Sequence, residues 1–447
     1  MGGIAGILEG HKKADVERML NRIAYRGPAG RNVLENETAT IGVLWAGTQE
    51  NATDILTRES TARDAGGTER LAEARIEGPR LILKRDPLGV APLYYGKTSG
   101  GRLCFASEVK ALKTLCHEIH ELPPGHIYDG DHLQSYFRLE PQEPVDSPPE
   151  GIAAELRRRL RASVEKRVRS EEMGSWLSGG LDSSSLAALA RPSLKILFTF
   201  SAGVPGAPDL EYASEVARHI GSDHHEVVVR LRDMLEILPK VIEHLESFDA
   251  LLVRSSITNY LVAKRASDFV PEVFSGEAGD ELFAGYAYLK SLDPAVLDKE
   301  LIDITLRLHN TAFQRVDRSA SAHGTVPHVA FADPEVVDYA LRIPAGCKLR
   351  QGIEKWILRR AMDGILPDRV LGRTKAKFWE GAGVAEQLSD HAEKSITDRD
   401  FRRERALPVG ISIRTKEELM YYRHFREVLG DFENLDWMGR TKGAPET

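Results

Sequence analysis

Hydrophobic positions in the first 140 residues form short runs, each bounded by Gly, Asn or Asp. The clearest runs cover residues 39–45, 80–84 and 103–105. Short apolar runs separated by turn residues are typical of antiparallel strands. We therefore predict an α+β N-terminal domain over residues 1–140, built on antiparallel sheets.

The pattern changes after this region. Four prolines fall within residues 139–150, which predicts a stiff linker at 141–150. From Gly151 onward apolar residues recur at helical spacing, and strand-like runs then alternate with helical ones. Such alternation predicts an α/β domain over 151–447, with a parallel sheet covered by helices on both faces.

Composition narrows the function classes. The chain has 447 residues and a formal net charge of −7, so nothing in the charge favours binding of nucleic acid. No apolar run reaches transmembrane length, and the N-terminus lacks the features of a signal peptide. The widely spaced Cys104, Cys116 and Cys347 indicate free thiols in a reducing compartment. We expect a cytoplasmic protein without a membrane partner.

Residues 178–184 read Ser-Gly-Gly-Leu-Asp-Ser-Ser, between a short apolar stretch and a helix-forming run. A strand, a glycine turn and a helix N-terminus form a phosphate cradle, because glycines admit an anion and first-turn N–H groups attract it. Asp182 suits a phosphate site only if it holds a cation, which implies Mg²⁺. The loop matches neither a Walker A loop nor a G-x-G-x-x-G fingerprint. A simple helix cap is the alternative.

A second loop, residues 275–283, reads Ser-Gly-Glu-Ala-Gly-Asp-Glu-Leu-Phe. It also follows a strand and precedes a helix, so both loops fall at the carboxyl ends of strands, where such sheets bind ligands. The first loop resembles the pyrophosphate loop of enzymes that cleave ATP to AMP and pyrophosphate. Asp182 and Asp280 are then natural partners for one or two Mg²⁺ ions that bridge ATP phosphates. We expect Glu277 to contact the acyl substrate or the incoming amine.

With these two loops, the chain resembles the asparagine synthetase B family. The matching segments of the second half are 177–184, 206–210, 224–226, 246–249, 254–256, 275–286, 357–360 and 373–375. The resemblance implies an ATP pyrophosphatase domain, similar to the adenine nucleotide alpha hydrolases. Such a domain adenylates a carboxylate, releases pyrophosphate and passes the acyl-adenylate to an amine.

The resemblance carries site residues over by position. Those implied to bind pyrophosphate and Mg²⁺ are Ser178, Gly179, Gly180, Asp182 and Ser183. Those implied to flank the nucleotide are Leu177, Ala202, Ser275 and Gly276. Glu277 would lie at the acyl-adenylate, Asp280 at Mg²⁺, and Lys375 beside the pyrophosphate, where negative charge develops as it leaves.

The N-terminal half resembles the family's class II glutaminase, a shortened Ntn-hydrolase-like domain. The retained segments are 26–28, 85–89, 92–95, 106–112 and 123–126. Glutamine hydrolysis needs an N-terminal cysteine whose thiol attacks while its own α-amine acts as base. Gly2 stands at that position, Ala29 replaces an expected Asp, and the Asn-Gly-Glu oxyanion segment is missing from about residues 50–80. We expect a degenerate domain that no longer hydrolyses glutamine.

The synthetase half departs from the family pattern at 326–333, where Val326 and His328 replace an acid and an arginine. This segment lies near the family's synthetase site, so aspartate is only the default acyl substrate. Three hypotheses remain: an amide-forming ligase that uses free ammonia, the same adenylation chemistry with another amine, or a non-catalytic pseudoenzyme. The second resembles β-lactam synthetases and lasso-peptide cyclases, although β-lactam synthetases place a Tyr where this chain has Glu277. A homodimer or a separate ammonia-supplying partner remains open.

Overall fold

The computed structural model describes residues 2–46, 56–57, 61–65, 70–373, 382–383 and 385–442. Its N-terminal part, residues 2–140, contains two antiparallel sheets in the orders β10-β8-β9-β1-β3-β2 and β12-β11-β7-β6-β5-β4. The strands are β1 (Gly2–Ile7), β2 (Gly30–Glu35), β3 (Thr40–Trp45), β4 (Leu56–Thr57), β5 (Thr61–Ala65), β6 (Leu71–Glu77), β7 (Arg80–Arg85), β8 (Tyr94–Thr98), β9 (Leu103–Ala106), β10 (Cys116–Glu121), β11 (His126–Tyr128) and β12 (Leu133–Ser135). The helices of this part are α1 (Lys13–Arg22) and α2 (Val109–Leu112).

The C-terminal part, residues 149–442, contains a parallel sheet in the order β15-β14-β13-β16-β17. Its strands are β13 (Glu172–Trp176), β14 (Ile196–Gly203), β15 (Asp223–Val228), β16 (Glu272–Phe274) and β17 (Val326–His328). Its helices are α3 (Pro149–Glu165), α4 (Leu181–Ala190), α5 (Pro208–Ile220), α6 (Leu231–Leu245), α7 (Ala250–Ser267), α8 (Gly279–Leu282), α9 (Pro294–Leu306), α10 (Ala312–Ser321), α11 (Pro334–Arg342), α12 (Ala345–Lys348), α13 (Trp356–Ala361), α14 (Asp368–Leu371), α15 (Ala385–Ser395), α16 (Asp398–Glu404) and α17 (Lys416–Leu429). The predicted fold class, antiparallel sheets followed by a parallel α/β sheet, is therefore confirmed.

The first helix of the C-terminal part begins earlier than its apolar periodicity indicates. We expected it from Gly151, and it starts at Pro149, because proline is favoured at the first helical position. Before it, the backbone N–H of Val145 donates a hydrogen bond to the carbonyl of Arg342 (2.8 Å). The linker at 141–150 and its domain boundaries stay predictions. In the part of the chain described, no helix combines the length and apolar character needed to span a membrane.

Two apolar cores share the strands of the first antiparallel sheet. Ile4 and Val43 belong to a core between the two N-terminal sheets. Their neighbours Ala5 and Leu44 belong to a larger core that continues into the C-terminal part. Alternate residues of a strand face opposite sides, so one sheet contributes to both cores. The larger core therefore joins the two parts by apolar contact.

A buried carboxylate on α10 adds a second link between the parts. Asp317 accepts two hydrogen bonds from the Arg26 guanidinium (2.8 and 3.0 Å) and one from Arg70 (2.8 Å). All three side chains are buried. Burial alone would raise the pKa of the Asp317 carboxyl, but the guanidiniums of Arg26 and Arg70 outweigh it and lower that pKa to about 2. Buried ion pairs thus hold the N-terminal part against α10.

The next residue of α10 extends this network. Arg318 contacts the carboxylates of Glu108 and Glu246, each at 3.1 Å. Glu246 in turn accepts hydrogen bonds from the backbone N–H groups of Val109 (3.1 Å) and Lys110 (2.6 Å) at the start of α2. Positive and negative groups alternate across the boundary, so each buried charge has an opposite neighbour.

We predict that Asp317→Asn lowers the free energy of unfolding by about 3–5 kcal/mol, because it leaves two buried guanidiniums without their carboxylate. Urea unfolding at pH 7 measures this loss. Because the pKa of Asp317 is depressed to about 2 in the folded state, its stabilisation is complete above about pH 4 and is lost as the pH falls. The difference between wild type and variant should therefore shrink towards about pH 2.

Asp363→Asn is the matched control. Asp363 pairs with Arg360 at 3.4 Å on the exposed surface, and such pairs contribute below about 1 kcal/mol. Equal losses in the two variants would contradict the role given to the buried network.

Candidate active site

The two glycine loops meet at the same edge of the parallel sheet. β13 and β16 are neighbours, and the chain leaves β13 towards β14 and β15 before it returns to β16. The sheet order therefore reverses between β13 and β16, which is where open α/β sheets bind ligands. A Cβ on Gly276 would lie 2.7 Å from the backbone nitrogen of Ser183, so only glycine allows this close approach.

The loop after β13 is held in shape by its own polar groups. The hydroxyls of Ser178 and Ser183 lie 3.1 Å apart. The Gly180 N–H donates to the Ser178 hydroxyl (3.3 Å), and the Ser183 hydroxyl donates to the Gly180 carbonyl (3.3 Å). Gly179 has a φ of +68°, and a Cβ there would lie 2.5 Å from the backbone nitrogen of Ala213 on α5. The loop is therefore preformed at the start of α4.

A lysine that the sequence reasoning missed joins the two predicted magnesium ligands. The ammonium group of Lys355 contacts the carboxylate of Asp182 and lies 2.5 Å from Oδ1 of Asp280. Lys355 is buried, and it precedes α13 directly. Since one ammonium reaches both groups, the structure brings the two carboxylates together. The available signal was its position beside the Ile-Leu-Arg-Arg segment at 357–360.

The second loop holds two further acids in different environments. Glu277 pairs with Arg315 of α10 at 2.6 Å. Glu281 is buried and accepts a hydrogen bond from the Tyr286 hydroxyl (2.5 Å). Burial raises the pKa of Glu281 to about 8, and the charge of Asp280 adds to the rise. Glu281 therefore takes up a proton more readily than an exposed glutamate, whereas Glu277 has a cationic partner.

Two arginines fix the backbone that leads to the predicted lysine at 375. Arg373 pairs with Asp209 at the start of α5 and donates a hydrogen bond to the Ser178 carbonyl (3.3 Å). Arg359 donates to the Arg373 carbonyl (2.9 Å). These contacts attach the segment after α14 to the first glycine loop. Lys375 itself lies outside the described residues.

These groups line a cavity of about 840 Å³. The predicted site residues on its wall are Leu177, Ser178, Gly180, Asp182, Ser183, Ala202, Ser275, Gly276, Glu277 and Asp280. Gly179 does not line the cavity; it packs against α5. Apolar side chains that include Phe200, Leu252 and Val262 cover another part of the wall. The cavity thus combines a polar end rich in charge with an apolar surface.

Residues 326–333, the segment that differs from the family pattern, lie outside the cavity lining. None of these eight residues, all of which the structure describes, lines the cavity wall. The His328 carbonyl accepts a hydrogen bond from the Ser275 N–H (2.9 Å), and its buried ring lies 2.6 Å from the Glu272 carboxylate. The segment supports the second loop through its backbone, so the departure does not by itself change the groups that face a substrate.

A family model described as asparagine synthase matches residues 155–303 and 293–439, and one described as glutamine amidotransferase domain matches residues 75–163. Asparagine synthetase [glutamine-hydrolyzing] 1 of Saccharomyces cerevisiae is 33% identical over 400 residues, which cover 77% of this chain and 70% of that protein. Asparagine synthetase [glutamine-hydrolyzing] 2 of Arabidopsis thaliana is 36% identical over 347 residues, which cover 71% of this chain but only 59% of that protein.

Among solved structures, the NMN synthetase of Francisella tularensis matches 65% of this chain and 99% of its own, with 10% identity. Its TM-score of 0.30 is too low to carry an argument. The sequence matches are decisive, because the asparagine synthase model alone covers more than half of the chain. The chain belongs to the asparagine synthase family.

Proposed function

We propose that this protein is an ATP-dependent ligase that adenylates a carboxylic acid, releases pyrophosphate and transfers the acyl group to ammonia. The observation that carries the proposal is the meeting of Asp182, Asp280 and Lys355 between two glycine loops. The cavity of about 840 Å³ beside them falls in the usual range for ligand sites. Aspartate is the default acid, because the relatives named above are asparagine synthetases.

The reaction needs two displacements. A substrate carboxylate oxygen attacks the α-phosphorus of ATP, the bond to the bridging oxygen of the β-phosphate breaks, and pyrophosphate leaves. The amine then attacks the acyl carbon, loses a proton and displaces AMP. Negative charge builds up on pyrophosphate in the first step, so a fixed cation at that end lowers the barrier.

The charged groups of the site suit these steps. The first-turn N–H groups of α4, with Ser178 and Ser183, would hold phosphate oxygens. Lys355 would compensate charge on the pyrophosphate, and we propose the same role for Lys375. Glu277, held by Arg315 (2.6 Å), would orient the acid or the amine. The apolar wall that includes Phe200, with Leu177, Ala202, Ser275 and Gly276, would flank the nucleotide.

Two carboxylates fit the expected Mg²⁺. Both lie within reach of one ammonium group, so they can share one cation, and oxygen donors are the ligands that Mg²⁺ prefers. Within the described ranges, His, Cys, Asp and Glu side chains form no group of three or more able to hold a metal. Phosphate oxygens and water would therefore complete the shell. Bound there, Mg²⁺ would supply charge neutralisation of the phosphates.

We also propose that this chain does not hydrolyse glutamine. Gly2 has no nucleophilic side chain, and it lies inside the first antiparallel sheet, where β1 pairs it with Trp45 of β3. A Cβ on Gly2 would lie 1.8 Å from the Leu44 carbonyl oxygen. The backbone therefore leaves no room for the thiol that the relatives' glutamine chemistry would need. Ammonia would come from solution or from a separate protein.

We predict that wild-type protein with ATP, Mg²⁺, aspartate and ammonium releases pyrophosphate, and that Asp182→Asn lowers the rate at least about 100-fold. A coupled pyrophosphate assay measures both. Asp398→Asn is the control, since Asp398 also begins a helix and pairs with a lysine (Lys416, 2.6 Å), but does not line the cavity. It should keep wild-type activity. A fully active Asp182→Asn would overturn the site, and no release with any carboxylic acid would overturn adenylation.

We predict that ammonium supports amide formation and that glutamine as sole nitrogen source does not. Gly2→Cys should gain no glutaminase activity and should unfold at a lower temperature, because its Cβ meets backbone at 1.8 Å. Gly100→Cys is the matched control, since the nearest atom to its Cβ would be the Thr98 hydroxyl at 3.7 Å. Glutamate release from glutamine by the wild type would contradict the proposal. Pyrophosphate release that ammonium does not affect would point to another amine.

A further inference from the structure

The last described segment of the chain reaches the cavity. We call residues 437–442 the strap. Its first residue, Trp437, is buried, whereas Thr441 and Lys442 line the cavity wall. The strap therefore runs from the protein core to the proposed active site, although it belongs to neither glycine loop.

One end of the strap is fixed to a buried carboxylate. Asp249 accepts hydrogen bonds from the Thr441 N–H (2.9 Å) and the Thr441 hydroxyl (2.7 Å). The same carboxylate caps α7 by accepting from the Leu252 N–H (3.0 Å). Asp249 is fully buried, and Leu252 lines the cavity. Thr441 is thus bound to the helix that forms one side of the cavity.

The next residue crosses to a different helix. The Lys442 ammonium lies 2.7 and 2.8 Å from the two oxygens of Glu300, and 3.0 Å from Asp303. Both acids are on α9, which also supplies Ile304 to the cavity wall. The Lys442 side chain is 43% exposed and that of Asp303 is 42% exposed. Because Lys442 lines the cavity and also faces solvent, this contact lies at the cavity mouth.

We propose that the strap closes this mouth over the acyl-adenylate, with Lys442 as a positioning residue that holds it against α9. The inference rests on the proposed function. An acyl-adenylate reacts with water as well as with an amine, so a site that makes one gains from excluding water. The buried Thr441–Asp249 contact acts as the fixed end. The exposed Lys442 contact is weak enough to open and admit substrates.

The test is the number of amides formed per pyrophosphate released, measured with ATP, Mg²⁺, aspartate and ammonium. Lys442→Glu should lower this ratio about three- to tenfold, because the new carboxylate repels Glu300 and Asp303. Lys442→Arg should keep the ratio, and Glu300→Lys combined with Lys442→Glu should restore most of it. A residue with a merely structural role would change rate or stability without changing the ratio.

Lys416→Glu is the matched control. Lys416 also holds two carboxylates, Glu393 at 3.0 Å and Asp398 at 2.6 Å, but it does not line the cavity. Reversing the charge of Lys416 should leave the number of amides formed per pyrophosphate unchanged. Raising the ionic strength from about 0.05 to about 0.5 M should lower the ratio in the wild type and not in Lys442→Ala, since salt screens exposed pairs.

Nucleotide dissociation separates a failure of the strap from a failure of the proposed function. A fluorescent ATP derivative, chased with unlabelled ATP, should leave Lys442→Glu several-fold faster than wild type. If the wild type binds the fluorescent ATP derivative but releases no pyrophosphate from ATP, the proposed function fails. The dissociation rates then decide on their own whether the strap closes the cavity mouth. Wild-type values of both ratio and dissociation rate in Lys442→Glu would overturn the strap. Absence of nucleotide binding by the wild type would overturn both proposals.

Discussion

The buried carboxylate of Asp317 is the contact on which the arrangement of this protein depends. It holds two guanidiniums from the N-terminal part, and its helix, α10, also carries Arg315 into the cavity to pair with Glu277. One helix of ten residues therefore joins the N-terminal domain to the proposed acyl site. Removing one member of a buried ion network costs several kcal/mol, since the partner stays buried without its counter-charge.

This dependence gives a physical reason to keep the N-terminal domain, for which we propose no glutaminase chemistry. If the domain were lost, Asp317 and Arg318 would face water without Arg26, Arg70 and Glu108, and α10 would lose the groups that fix it. The apolar core that crosses the boundary would be exposed as well. Selection on the synthetase site alone can therefore maintain the fold of the domain, while residues outside these contacts are free to change.

The sequence predicted those features whose causes are local. Glycine at 179, 180 and 276, followed by helix-forming residues, indicated both loops, and alternation of apolar runs indicated both types of sheet. Lys355 could not be found in this way, because its partner Asp182 lies 173 residues away and only the fold brings them together. His328 is the opposite case: the altered sequence put the acyl substrate in question, and the fold places its side chain against Glu272 on the neighbouring strand.

The structure uses ion pairs of two strengths for two purposes. The paired charges around Asp317 and Arg318 are buried, so they define one position for α10. The pairs of Lys442 with Glu300 and Asp303 are partly exposed, and such pairs contribute only about 0–1 kcal/mol. A contact that has to open in every catalytic cycle must be of the second kind. The contacts that fix α10, and with it Arg315 beside Glu277, must be of the buried kind, because the proposed chemistry tolerates only small displacements of its groups.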